Sequence, residues 1–190
     1  MKVHAALIFA LVFSGLSTLN SQTGQRPAST SQTKTLSLEE TLKWLSDVID
    51  TSTGATAIDP YKTEQTIHTK LQEQEGCEVQ LERSWRNVWH NKVDGSAESN
   101  ATSYTVLLSL ADIDPNSIAV HAIDDSTPQV LSVWLLARNG EKVVRETYKG
   151  HPTQKTSGTE VNYFGDRKTA EDVAKALRRA ALLCANSKHP

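Results

Sequence analysis

The stretch CEVQLERSWRNVW, residues 77–89, constrains this chain more than any other. It alternates so that Cys77, Val79, Leu81, Trp85 and Trp89 fall on one face and mostly polar residues on the other. A period of two is the pattern of an extended strand with one buried and one wet face, the usual condition of an antiparallel sheet rather than a parallel one. The pattern recurs. TIHTKL sets Ile67 and Leu71 against His68 and Lys70, and SYTVLLSL aligns Tyr104, Val106, Leu108 and Leu110. SIAVHAI follows the turn ADIDPN, and VNYF is a short later strand after the long polar run KGHPTQKTSGTE. In VLSVWLLARNGEKVVRETY, Asn139-Gly140 supplies the two residues that tolerate positive φ, so this segment reads as a hairpin with Arg138 opposite Glu141.

Helical periodicity flanks the strands. In SLEETLKWLSDVID, Ser37 and Glu40 have the spacing of a capping box. Leu38, Leu42, Leu45 and Ile49 then form one stripe, with Val48 beside it and TSTG ending the helix. In AEDVAKALRRAALLC the apolar face is Val173, Ala174, Leu177, Ala181 and Cys184, while Glu171, Lys175, Arg178 and Arg179 take the wet side. Thr169 and Asp172 give a weaker capping box at its start. The fold class that follows is α+β: an N-terminal helix, about six or seven mostly antiparallel strands forming a bent sheet or partly open barrel, and a C-terminal helix packed on it.

The first residues have the charged, apolar and small-residue order of a secretory leader, with Lys2 and His4 ahead of the run Ala5–Leu19. Residues 1–21 read as that leader. Residues 22–35, rich in Ser, Thr and Gln, read as a flexible linker, 36–186 as one globular domain and 187–190 as a tail. No later run approaches the ~20 apolar residues of a membrane-spanning helix, so no transmembrane segment is expected after leader removal. The expected location is secreted or periplasmic. In such a compartment two inward-facing cysteines, Cys77 and Cys184, read as a disulfide joining the closing helix to the sheet. With 20 basic and 22 acidic side chains, the chain lacks the basic excess of a nucleic-acid binder.

The run of antiparallel strands, the SLADIDPNSIAV corner, the NG turn and the final helix AEDVAKALRRAALLC resemble the pleckstrin-homology-like arrangement, in which a bent, nearly closed sheet is plugged by a C-terminal helix. The front helix SLEETLKWL, together with GCEVQL and the cysteine-ended last helix, resembles a group of uncharacterised exported bacterial proteins over about residues 37–184. The resemblance implies a fold and carries no catalytic residues. Phosphoinositide recognition in the pleckstrin class uses a basic strand–loop near the start of the barrel, whereas the corresponding LQEQEGCE is acidic.

Motifs that carry chemistry are sparse. DIDPNS sets Asp112, Asp114 and Asn116 at alternate positions of a calcium loop, but Ser117 stands where the sharp turn needs Gly and Ile123 where the bidentate Glu belongs. Pro115 fits a strand-to-strand corner instead. His68, His90, His121 and His151 lack the spacing of zinc sites, and His121 with Asp124 and Asp125 is the one local cluster of metal-capable groups. No GxSxG elbow, HExxH or glycine-rich phosphate loop occurs, so neither a catalytic set nor a metal or cofactor is expected. Asn100-Ala101-Thr102 has the form of a glycosylation acceptor. Trp85 and Trp89 share a strand face and are candidates for stacking on a ligand, or for core. The reading is an exported, non-enzymatic binding domain for an extracytoplasmic protein or small ligand. The alternatives are a small hydrolase with a dispersed His/Asp site and an apolar-ligand carrier with Trp85 and Trp89 at the barrel mouth.

Overall fold

The computed structural model describes residues 36–52, 55–58, 63–91, 93–123 and 129–187. The expected leader and linker, Asp124, Asp125 and most of the expected tail lie outside the described residues. Helix α1 is Leu38–Thr51. The strands are β1 (Thr56–Ile58), β2 (Glu64–Glu73), β3 (Glu78–His90), β4 (Ala97–Ser109), β5 (Ala119–Ala122), β6 (Leu131–Leu136), β7 (Val144–Tyr148), β8 (Gln154–Thr156) and β9 (Gly158–Phe164), and α2 (Arg167–Ser187) closes the chain.

The α+β class is as expected, with nine strands among the described residues rather than six or seven. The two not anticipated, β1 and β8, have three residues each and lack room for a period to show. The strands form two antiparallel sheets, ordered β1-β2-β3-β4-β7-β8 and β5-β6-β9. The Asn139-Gly140 hairpin is corrected by this topology. Both residues do have positive φ, and Glu141 N donates to Arg138 O at 3.1 Å, so the turn itself forms. Yet β6 pairs with β5 and β9 while β7 pairs with β4 and β8, so the turn carries the chain from one sheet to the other. Pairing is decided by burial at long range. Leu131, Ser132 and Val133 are buried in succession, which suits the middle strand of the small sheet, whereas the free edge of β4 accepts the alternating β7. Because Gly140 sits at φ +69 in open space, Gly140→Val meets no clash but forces a β-branched residue into a left-handed conformation. It is expected to cost about 1 kcal/mol or more, read as a lower urea midpoint.

Both helices bury the faces their sequences specify. The capping box of α1 is complete, with Glu40 N on Ser37 Oγ at 3.1 Å and Ser37 N on Glu40 Oε2 at 2.8 Å. Thr41, Leu42, Leu45 and Ile49 are buried. The cap of α2 lies three residues earlier than Thr169: Asp166 Oδ1 accepts from Thr169 N at 2.7 Å, and that bond holds the Asp166 carboxyl below its ordinary pKa. Aspartate outranks threonine as a cap, so the helix starts at Arg167. Val173, Ala174, Leu177, Ala181 and Cys184 are buried as expected, joined by Ala170 and Ala180. One core holds the inner faces of α1 and α2 against Leu71, Leu81, Val106 and Leu108 of the large sheet and Leu131, Val133, Leu135 and Val161 of the small one. Thr69 Oγ1 ties the sheets by donating to Val161 O at 2.6 Å.

The Cys77–Cys184 disulfide is present, with Cα atoms 5.7 Å apart. It joins the residue before β3 to the buried side of α2, and a bridge of this kind fits an oxidising, extracytoplasmic environment. No described helix is long and apolar enough to cross a membrane.

Candidate functional site

Strand alternation and register build the large-sheet wall of a pocket. On the inner face, Thr69, Arg83, Tyr104 and Tyr148 lie in one cross-strand row over β2, β3, β4 and β7. The next row toward the core is Leu71, Leu81, Val106 and Glu146, and the next outward contains Ile67, Trp85 and Thr102. The inner face thus passes from aliphatic to charged and aromatic along the strands. The opposite wall comes from the small sheet, with Ser132 and Trp134 on β6 and Thr159, Glu160 and Tyr163 on β9. Together they enclose an open pocket of about 520 Å³.

Arg83 is the central feature. Only 4% exposed, it sits where strict alternation demands an inward side chain, between Leu81 and Trp85. Its Cζ lies 5.2 Å from the Tyr104 ring centre, within cation–π range. Tyr104 in turn stacks on Tyr148 with ring centres 4.5 Å apart. Arg83 Nη2 stands 3.5 Å from Glu160 Oε2, a stretched ion pair, and Nε has no hydrogen-bond acceptor. A buried charged donor without an acceptor is expensive, so an arginine whose Nε is left in this state calls for a reason beyond packing.

Burial sets the electrostatics. Desolvation raises the Glu160 pKa, while a hydrogen bond from Ser132 and the charge and long hydrogen bond of Arg83 pull the other way. Desolvation pushes Tyr104 up to about 12, so its phenol stays neutral at physiological pH. It also raises Tyr148, with help from Glu146. Among the pocket's charged residues, one guanidinium faces two carboxylates, Glu146 and Glu160, between indole and phenol rings.

The two tryptophans singled out from sequence separate. Trp85 lines the pocket, packs against the small cluster of Ala57, Ile67, Val130 and Tyr163, and donates Nε1 to Asn87 Oδ1 at 2.9 Å. Trp89 lies four residues along the same strand, 37% exposed, with Nε1 on Glu98 Oε2. The indole that shares the pocket with Trp85 is Trp134, 40% exposed and donating to Ser132 Oγ at 2.9 Å. Arg83, Trp134, Glu146 and Glu160 escape a reading of the sequence because each belongs to a different strand. Only Arg83 carries a local signal, a charge at an inward position of an otherwise apolar face.

The remaining candidates do not converge. His68 is on the outer face of β2, His90 pairs with Glu64 at 3.5 Å, His121 is exposed on β5, and His151 follows β7. Among the described residues no three His, Cys, Asp or Glu side chains come together to hold a metal. In the DIDPN corner, Asp114 caps the 3₁₀ turn Pro115–Ser117 by accepting from Asn116 N at 2.9 Å. That is turn chemistry, and Pro115 is buried.

The fold and site define an α+β domain of two antiparallel sheets and two helices, with an aromatic-walled, ion-paired pocket between the sheets. No protein-family model, no curated protein and no solved structure matches the chain.

Proposed function

We propose that this chain is an exported, secreted or periplasmic, non-catalytic binding domain that takes a small ligand in the pocket between its sheets. The observation that carries this reading is Arg83, almost wholly buried at an aromatic-walled pocket, with its Nε–H lacking an acceptor and Nη2 held only by a stretched ion pair. Binding sites combine an apolar or aromatic lining with a few convergent polar groups, and this pocket has that composition and a volume in the usual range. The arrangement of sheets and closing helix supports a pleckstrin-homology-like scaffold, with the ligand site between sheets rather than at a basic loop. A carrier of purely apolar ligands is less well supported, since it would leave Arg83 and two carboxylates facing hydrocarbon.

Native mass spectrometry of protein purified from its exporting host tests the proposal. A stoichiometric small molecule that is retained by the wild type and lost from Trp134→Ala, a half-exposed position, is the expected result. Retention unchanged in Trp134→Ala and in Trp85→Ala would place the ligand elsewhere and contradict the reading.

A further inference from the structure

Resting on the reading of this pocket as a ligand site, we infer that its ligand is a zwitterion of the amino-acid type, its carboxylate on Arg83 and its ammonium against Glu146, Glu160 and the indoles. Nε and Nη2 of an arginine lie on one edge of the guanidinium, the edge that grips a carboxylate through two parallel N–H bonds. In Arg83, Nε lacks an acceptor and Nη2 has only the stretched contact of 3.5 Å to Glu160. The edge is therefore matched to a planar anion that Glu160, reaching Nη2 alone and at long range, does not fully supply. Seating that anion takes a side-chain shift at the pocket floor, a common adjustment on binding.

A ligand that is only an anion meets opposition. The pocket's two carboxylates outnumber its one guanidinium, and the electron-rich indoles of Trp85 and Trp134 line it beside them. Those groups attract an ammonium. A ligand that is only a cation satisfies them and leaves Arg83 Nε without an acceptor. A neutral sugar stacks on the indoles and supplies neither charge. A molecule bearing both groups completes both halves of the site, and its own net charge of zero avoids importing repulsion.

Calorimetric titration with four probes of one ring size separates these cases: phenylalanine, 3-phenylpropionate, which lacks the ammonium, phenethylamine, which lacks the carboxylate, and N-acetylphenylalaninamide, which lacks both charges. The expected result is that phenylalanine binds at least about tenfold more tightly than any other, the loss anticipated for one charge-assisted contact. Glu146→Gln, at a half-buried position outside the aliphatic core, should narrow the gap between phenylalanine and 3-phenylpropionate and leave the melting temperature close to wild type. Equal or tighter binding of a single-charge or neutral probe overturns the zwitterion inference while leaving the pocket a ligand site. So does failure of all four when a molecule of another class co-purifies and depends on Trp134. Failure of all four with no pocket-dependent molecule co-purifying removes both readings.

Discussion

Replacing Cys77 and Cys184 together by alanine is expected to lower the unfolding free energy by on the order of 4 to 5 kcal/mol, the chain-entropy value for a loop near 100 residues. The bridge spans 107 positions, from the start of β3 to the last turns of α2. Against the roughly 5 to 15 kcal/mol of an ordinary domain, this loss is large enough to leave the domain barely folded. The closing helix would not be released entirely. Val173, Ala174 and Leu177 remain buried, and the Arg178 guanidinium holds Ile118 O with bonds of 3.0 and 2.7 Å. Reduction of the wild type should therefore lower the urea midpoint and first raise hydrogen exchange in the C-terminal turns of α2. If both thiols react with a blocking reagent in denaturant without reductant, the bridge is absent and the prediction fails.

The second large effect concerns Arg83 and Glu160. Arg83→Met alone removes one member of a mostly buried pair and strands the Glu160 carboxylate, a change expected to cost about 3 kcal/mol at neutral pH. The loss should shrink as the solution is acidified, because a carboxyl deprived of its cation protonates more readily. The sign in the wild type is the same. The folded state already raises the Glu160 pKa above its ordinary 4.5, so the folded protein binds this proton more tightly than the unfolded chain. Its contribution to stability therefore falls as pH rises from about 4.5 through the raised value. Adding Glu160→Gln to Arg83→Met should restore most of the lost stability, since neutral replacement of a buried pair is often neutral or stabilising. That double variant is the useful one: folded, yet without the guanidinium edge that defines the pocket. A double variant that stays as destabilised as Arg83→Met alone would assign Arg83 a structural role only.

Much of this fold is legible in short windows of sequence. The Ser37–Glu40 box, the stripe of Leu42, Leu45 and Ile49, and the alternation through Val79, Leu81, Val106 and Leu108 each depend on local periodicity, and each appears in the structure where the pattern places it. The pairing of Cys77 with Cys184 is legible because both patterns turn their cysteine inward. What local pattern misses is long range. Asn139 and Gly140 adopt the conformations their types favour, yet the strands on either side join different sheets, since partner choice depends on which edges are free. The pocket is hidden for the same reason. Trp134 and Glu160 become neighbours of Arg83 only through the packing of one sheet on another, and no spacing in the chain encodes that. Arg83 is the exception, because a single charge on the inward face of an apolar strand breaks the local pattern, and such breaks gather at functional sites.

The central claim, that the space around Arg83 is a site for a zwitterion of the amino-acid type, is tested most directly by following the side-chain Nε–H signal of Arg83 and the four indole N–H signals by NMR while phenylalanine is added. Trp85 and Trp134 line the pocket, whereas Trp44 and Trp89 do not and serve as internal controls. The account predicts that the signals of Arg83, Trp85 and Trp134 move together and saturate with one dissociation constant while Trp44 and Trp89 stay fixed. Movement confined to Trp44 or Trp89, or an Arg83 signal that stays fixed at saturating phenylalanine, would contradict it.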